Sequence, residues 1–74
     1  MSSEIVNILD GCINKVIMIR IRNNRMIRGT LQAFDTHMNL TLSKSEDITN
    51  DKVENLDRII LRGDNIIAVY LPDN

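Results

Sequence analysis

The sequence predicts a mainly β protein in which a short N-terminal helix is followed by a strongly bent, five-stranded antiparallel open barrel. Helical spacing of apolar residues occurs only near the start of the chain, and five short runs rich in β-branched residues follow it. Gly29 interrupts the longest run, and a glycine within a strand indicates a sharp bend or a close backbone approach. These observations favour a small sheet that curls on itself.

The length of 74 residues supports one domain with a marginal core. A single cysteine excludes an internal disulfide. One cysteine and one histidine together are too few ligands for a zinc site, so we expect no metal and no cofactor. Association with other subunits is then the expected source of further stability. The net charge of −1 disfavours non-specific duplex binding but permits a small pocket for single-stranded bases.

The sequence also bears on location. No apolar run approaches the roughly 18 residues of a membrane span, and residues 1–4 lack the features of a signal peptide. We therefore expect no membrane partner and a cytoplasmic protein, or a nuclear one if the source is a eukaryote. The lone Cys12 suits either reducing compartment.

The first element is a helix predicted from Ser3 to Asp10. Ser2 or Ser3 can cap its free N–H groups, and Gly11 is expected to end it. Four apolar residues share the helical face that should pack on the sheet: Ile5, Leu9, Cys12 and Ile13.

Two strands come next, from Lys15 to Ile21 and from Met26 to Phe34. A turn near Asn23 to Arg25 joins them, because asparagine tolerates the left-handed conformation that tight hairpins need. A connecting turn is expected from Asp35 to Met38, and a third strand from Asn39 to Ser43.

The remaining chain is expected to form a polar, solvated loop and two further strands. The loop runs from Ser45 to Glu54 and should have no core of its own. The strands run from Leu56 to Leu61 and from Ile66 to Leu71, with the turn residues Arg62 to Asn65 between them. Neither strand carries the lysines that protect an exposed edge, so the last strand of one copy is expected to pair with the fourth of the next. Such a contact closes into a ring if the rotation permits.

Two segments resemble the paired motifs of the Sm/LSm family. RGTLQAFDTHMNL at residues 28–40 resembles the Sm1 motif, and ILRGDNII at residues 60–67 resembles the Sm2 motif. The resemblance covers nearly the whole chain and implies a single Sm-like domain over residues 1–74, with the Sm1 part at about 15–43 and the Sm2 part at about 56–71. Asn23 and Asn24 stand where many relatives have glycines, a departure that the turn can accommodate.

The resemblance implies the Sm fold, an SH3-like barrel that assembles into a ring with identical or homologous Sm-like subunits. It also implies binding of uridine-rich single-stranded RNA at the inner rim, one base per subunit, in RNA processing or ribonucleoprotein assembly. The short length and the His-Met-Asn and Arg-Gly-Asp triplets look most like archaeal Sm-like proteins, which form homo-rings, commonly homoheptamers. A subunit of a eukaryotic hetero-heptamer is the open alternative.

The family's RNA site maps onto five residues of this sequence: His37, Asn39, Arg62, Gly63 and Asp64. His37 and Arg62 can stack on a base, while the amide of Asn39 offers a donor and an acceptor to the edge of uracil. Asp64 is expected to orient Asn39. Asp35 and Met38 are expected to support the first turn, and Gly29 and Gly63 are expected at positive φ.

Other interpretations stand beside this one. Taken alone, His37 is an ordinary surface histidine and the Arg-Gly-Asp triplet a solvated turn. A cluster of arginines can form a second RNA surface or simply a solvated face: Arg20, Arg22, Arg25 and Arg28. A small barrel used only for protein–protein interaction is the alternative function, although 3% aromatic residues argue against a peptide groove. No nucleophile–base pair is evident, so we expect no enzyme and no catalytic residue.

Overall fold

The computed structural model describes residues 4–72. One helix precedes five strands, which confirms the predicted order of elements: α1 at Glu4–Asp10, β1 at Val16–Ile21, β2 at Arg25–Phe34, β3 at Leu40–Asp47, β4 at Glu54–Leu61 and β5 at Ile66–Tyr70. Single 3-10 turns at Arg22–Asn24 and Gly63–Asn65 separate β1 from β2 and β4 from β5. The predicted cap at Ser2 or Ser3 lies outside the described residues.

The five strands form one antiparallel sheet in the order β4-β3-β2-β1-β5. The fourth and fifth strands are therefore its two edges, as expected. Pairing of Leu40 with Leu61 brings the start of β3 beside the end of β4. The turns that adjoin these two residues consequently lie side by side, and they contain the predicted site residues.

The core is built from alternate residues of the central strands and from the end of the helix. Its fully buried apolar side chains on the strands are Ile17, Ile19, Ile27, Leu31, Leu40 and Leu42. Leu9 and Cys12 cover them from the helix side. Ile5, predicted on the packed face, is instead 58% exposed. The seven-residue helix packs through its C-terminal end, which leaves its first turn clear of the sheet.

The predicted polar loop from Ser45 to Glu54 is shorter than expected, because β3 continues to Asp47 and β4 already begins at Glu54. Ser45 and Asp47 are buried. The hydroxyl of Ser45 donates a hydrogen bond to the carbonyl of Asp57, and the carboxylate of Asp47 pairs with Arg25. Buried polar groups are tolerated where they find such partners.

The bend of the sheet is concentrated where Gly29 faces Ser45. A Cβ at Gly29 would lie only 2.9 Å from the Cβ of Ser45. The β2–β3 and β3–β4 registers both shift near this point, and Lys44 and Asp57 adopt positive φ. The close backbone approach predicted at Gly29 is confirmed, whereas the expectation of positive φ there is wrong.

Three of the six described residues with left-handed backbone are asparagines. Asn23 and Asn24 have φ of 67° and 59° in the β1–β2 turn, which confirms the predicted turn. Asn14, with φ of 70°, takes this conformation after the helix, and none of the glycines described has positive φ. Gly11 follows the last helical residue without acting as a left-handed cap.

Candidate functional site

The turn between β2 and β3 is organised by the carboxylate of Asp35. Its Oδ1 accepts hydrogen bonds from the backbone N–H groups of His37 and Asn39, both at 2.9 Å. Its Oδ2 accepts a third bond, also of 2.9 Å, from Nδ2 of Asn39. These bonds, that of the Asn39 side chain first, hold the pKa of Asp35 below its ordinary value. The contacts agree with the bracing role predicted for Asp35.

Met38 contributes to the same turn through its backbone and its packing. Its φ of 65° is an unusual conformation for a side chain of this size. The backbone N–H donates to the carbonyl of Asp35 at 3.1 Å, and the half-buried side chain packs against the core cluster. Met38 thus attaches the turn to the core, while His37 remains exposed.

The second turn, between β4 and β5, lies against the first through Gly63. A Cβ at Gly63 would overlap the carbonyl oxygen of His37 and lie 2.9 Å from the carbonyl carbon of Met38. Its φ is not positive, so the expectation of a left-handed glycine is wrong here as well. Glycine is required because the two backbones touch.

The side-chain amide of Asn39 is clamped between the two turns. Its Oδ1 accepts a 2.8 Å hydrogen bond from the backbone N–H of Gly63, while its Nδ2 donates to Asp35. A donor on one side and a carboxylate on the other permit only one orientation of the amide plane. One N–H of Nδ2 and one lone pair of Oδ1 remain for a ligand.

Asp64 does not orient Asn39, contrary to expectation. Its Oδ2 lies 3.3 Å from Nη2 of Arg62, in an exposed ion pair. The single 3-10 turn folds the Asp64 side chain back towards the arginine two positions earlier. Asp35 does the orienting that the sequence analysis assigned to Asp64.

An open recess of about 630 Å³ lies over these groups. It brings together four of the five predicted site residues, His37, Asn39, Arg62 and Asp64, whereas Gly63 supports it from beneath. The imidazole of His37 makes no hydrogen bond within residues 4–72. Arg62 keeps 75% of its side chain exposed, so two planar side chains are accessible at the recess.

The recess also includes four lining residues that the sequence analysis did not assign to the site: Ala33, Phe34, Thr41 and Ile60. Ala33 pairs with Thr41, and Thr41 pairs with Ile60, so these three form a row across β2, β3 and β4. Ile60 is 70% exposed. The exposure of Ile60 could have been inferred from its position between Ile59 and Leu61. These two residues face the core, and neighbours along a strand face opposite sides of the sheet.

Three of the four arginines in the predicted cluster form ion pairs or hydrogen bonds with other side chains. Arg25 pairs with Asp47, and Arg28 pairs with Glu46. Arg20 donates hydrogen bonds to the hydroxyl of Tyr70 and the side-chain oxygen of Asn24. Of the four arginines only Arg22 makes no such contact with the described residues, which weakens the interpretation of the cluster as a second RNA surface.

Residues 4–72 contain no group of three or more metal-ligating side chains that could hold an ion. Over the same range, no helix has the length and apolar character needed to cross a membrane.

Comparisons with known proteins agree with this architecture. The model of the LSM domain family matches residues 7–71. An snRNP Sm-like protein of Methanococcoides burtonii is 33% identical over 70 residues, which cover 93% of this chain and 97% of that protein. A crystallised heptameric archaeal Sm protein superposes with a TM-score of 0.83 at 31% identity, covering 88% of this chain and 96% of that one. A Pyrococcus abyssii Sm protein solved in complex with a uridine heptamer has a TM-score of 0.85, with 96% and 100% of the chains covered, and at 24% identity this likeness concerns the fold.

Proposed function

The chain belongs to the LSM domain family, and on that premise we propose that it forms a ring that binds uridine-rich single-stranded RNA at its inner rim. In this proposal the ring is a scaffold in RNA processing or ribonucleoprotein assembly. The relatives that it matches are snRNP Sm-like proteins, which are by name components of ribonucleoproteins.

The observation that carries the proposal is the clamped amide of Asn39. Asp35 and Gly63 hold it in one orientation, with one donor and one acceptor free. Uracil presents an acceptor and a donor side by side on its Watson–Crick edge, so it can satisfy both. Cytosine carries an acceptor where uracil has its N–H, and it would leave the clamped amide with an unsatisfied partner. An amide free to rotate would not make this distinction.

Stacking supplies the sequence-independent part of the binding. The imidazole of His37 and the guanidinium of Arg62 are exposed, planar and part of one recess. A base inserted between them gains roughly 1–3 kcal/mol from stacking. One such site binds weakly, but several copies in a ring engage one strand of RNA with much higher avidity.

The ring itself is supported by the two sheet edges. β4 and β5 are the edge strands, and both carry exposed apolar residues, including Ile60 and Ile67 at 70% and 61% exposure. Antiparallel pairing of β5 in one copy with β4 in the next removes both edges and repeats with rotation until it closes. The heptameric archaeal Sm protein, 31% identical to this chain, supports seven identical copies.

The test combines native mass spectrometry with titration of oligo-U, oligo-C and oligo-A. We expect a heptamer that binds oligo-U most tightly. His37→Ala and Arg62→Ala should each weaken oligo-U binding by at least about fivefold, the lower end of what one stacking contact contributes. Arg22→Ala is the matched control, because Arg22 is an exposed arginine that does not line the recess.

A stable monomer would contradict the ring. A ring that binds none of the three oligonucleotides would contradict RNA binding and favour a module for protein–protein interaction. Unchanged oligo-U binding by both His37→Ala and Arg62→Ala would contradict the assignment of the site.

A further inference from the structure

The side-chain hydroxyl of Thr41 lines the recess without a role in the base contacts proposed above. Thr41 is half-buried, and within residues 4–72 its hydroxyl makes no hydrogen bond. The other polar lining residues either have protein partners or are assigned to the base: Asp35, His37, Asn39, Arg62 and Asp64. The hydroxyl of Thr41 can both donate and accept a hydrogen bond, and both capacities are open to a ligand.

Strand β3 places Thr41 on the side of the sheet that carries the recess. Leu40 and Leu42, its two neighbours in the strand, are fully buried, so Thr41 projects away from the core. Asn39 precedes Thr41 by two residues, a separation of about 6.8 Å along an extended chain. A ligand whose base edge meets Asn39 therefore reaches Thr41 with another part of the molecule. In a nucleotide, the group attached to the base is the ribose.

The surroundings of Thr41 favour a sugar over a phosphate. Its lining neighbours on β2 are Ala33, which pairs with Thr41, and Phe34, and both are apolar. Asp35, the next residue along, contributes a carboxylate to the same recess, which repels a phosphate but not a neutral group. A ribose combines an apolar C–H face with hydroxyl groups, so it matches a recess wall of apolar side chains that carries one hydroxyl.

Thr41 is expected to stay accessible in the proposed ring. β3 pairs with β2 and β4 of its own copy, so β5 of the next copy is added beyond β4, in the plane of the sheet. Side chains stand roughly perpendicular to that plane. Two strand spacings of about 4.8 Å each separate β3 from the added strand. The contact made by Thr41 uses no residue of the edge strands β4 and β5.

Resting on the proposed function, we propose that the hydroxyl of Thr41 forms a hydrogen bond with the ribose 2′-hydroxyl of the nucleotide whose base meets Asn39. The 2′-hydroxyl is the group by which a protein distinguishes RNA from DNA at a given site. The two residues then select different parts of one nucleotide. Asn39 selects uracil among the bases, and Thr41 selects ribose over deoxyribose.

The experiment compares oligo-U with oligo-deoxyuridine, which keeps the base and lacks only the 2′-hydroxyl, in wild type and in Thr41→Val. Valine keeps the β-branched shape of threonine without the hydroxyl. Thr41→Val should weaken oligo-U binding about fivefold for each nucleotide engaged, the effect of one hydrogen bond, and leave oligo-deoxyuridine binding unchanged. Thr41→Ser keeps the hydroxyl and should keep the preference for RNA. Thr30→Val is the matched control, because Thr30 is a half-buried strand threonine that does not line the recess.

The outcomes separate the ribose contact from the proposed function. Equal binding of oligo-U and oligo-deoxyuridine by the wild type overturns the contact, whatever the variants do. If Thr41→Val weakens both strands by the same factor, Thr41 acts on the base or on the assembly, and the contact is overturned as well. Either result leaves the proposed function standing, provided that His37→Ala still loses oligo-U binding. A wild type that binds no oligo-U overturns both.

Discussion

The backbone N–H of Gly63 donates a 2.8 Å hydrogen bond to Oδ1 of Asn39, across 24 positions of sequence. The bond joins the turn after β2 to the turn after β4, and it fixes the oxygen side of the amide. Asp35 fixes the nitrogen side through a bond within the first turn. Preorganisation of this kind lowers the cost of ordering the amide when a base binds.

The close approach at Gly63 predicts that Gly63→Ala disrupts the site. The added Cβ overlaps the carbonyl oxygen of His37, so one of the two turns must move. We expect a loss of about 1–3 kcal/mol in the free energy of unfolding, typical of overpacking, together with loss of oligo-U binding. Urea unfolding and titration measure the two effects. Gly11→Ala is the control, because its added Cβ would lie 3.5 Å from the carbonyl oxygen of Ile8, an ordinary contact. A Gly63→Ala protein that binds oligo-U like this control would refute the role of the contact.

The clamp on Asn39 predicts different effects for the two aspartates of the site. In Asp35→Asn, one carboxylate oxygen becomes an NH₂ group. That group must face either Nδ2 of Asn39 or the backbone N–H groups, and in both cases a hydrogen bond is lost. The orientation of the Asn39 amide is then no longer enforced. The preference for oligo-U over oligo-C should fall about fivefold, roughly the effect of one hydrogen bond. Asp64→Asn should keep the preference, because Asp64 contacts Arg62 rather than Asn39. The reverse outcome would restore Asp64 as the orienting residue.

The bend at Gly29 predicts a pairwise coupling with Ser45. Gly29→Ala places a Cβ 2.9 Å from the Cβ of Ser45 and should lower the free energy of unfolding by about 1–3 kcal/mol. Ser45→Gly removes the opposing atom at the cost of the hydrogen bond to Asp57. The double variant should therefore be less destabilised than the sum of the two single variants, a difference that urea unfolding of all four proteins measures. Strict additivity would show that the two residues do not limit each other.

The buried carboxylate of Asp47 predicts a loss of stability in acid. Hydrogen bonds from Thr49 and Arg25 lower its pKa from 3.8 to about 2 in the folded protein. A depressed folded pKa contributes stability that is complete above the unfolded pKa and is lost as the pH falls through the folded one. The stability difference between wild type and Asp47→Asn should therefore be constant from pH 7 to about pH 5 and shrink as the pH approaches 2. A difference that stays the same from pH 7 to about pH 2 would contradict the role of the carboxylate.

The exposed edge of β5 predicts which apolar residue controls assembly. Ile67→Lys places a charge on the strand that is proposed to pair with the next copy, and edge lysines discourage such pairing. Native mass spectrometry should show the variant shifted from rings towards monomers. Ile5→Lys is closely matched, because Ile5 is 58% and Ile67 61% exposed, but it lies on the helix. Equal disruption by both variants would contradict assembly through the β5 edge.

Much of the molecule was determined locally and could be predicted from the sequence. The order of helix and strands followed from apolar spacing, and the hairpin at Asn23 followed from the tolerance of asparagine for left-handed backbone. The bracing of the first turn by Asp35 is local as well, since its partners lie two and four residues away. The residues of both turns were named correctly as neighbours in one recess, apart from the supporting Gly63.

Tertiary structure decided what depends on contacts between distant strands. Ser45 and Asp47 read as loop residues because their hydrogen-bonding partners, Asp57 and Arg25, lie 12 and 22 positions away and no periodicity reveals them. The sequence indicated a bend or a close approach at Gly29, but only the folded packing shows that Ser45 is its neighbour and that the carbonyl of His37 approaches Gly63. The contacts of Asn39 were also decided by tertiary structure. Its residue type suggested hydrogen bonding to a base, but not which groups would orient it. The register that pairs Leu40 with Leu61 places the N–H of Gly63 at its side-chain oxygen, whereas Asp64 contacts Arg62.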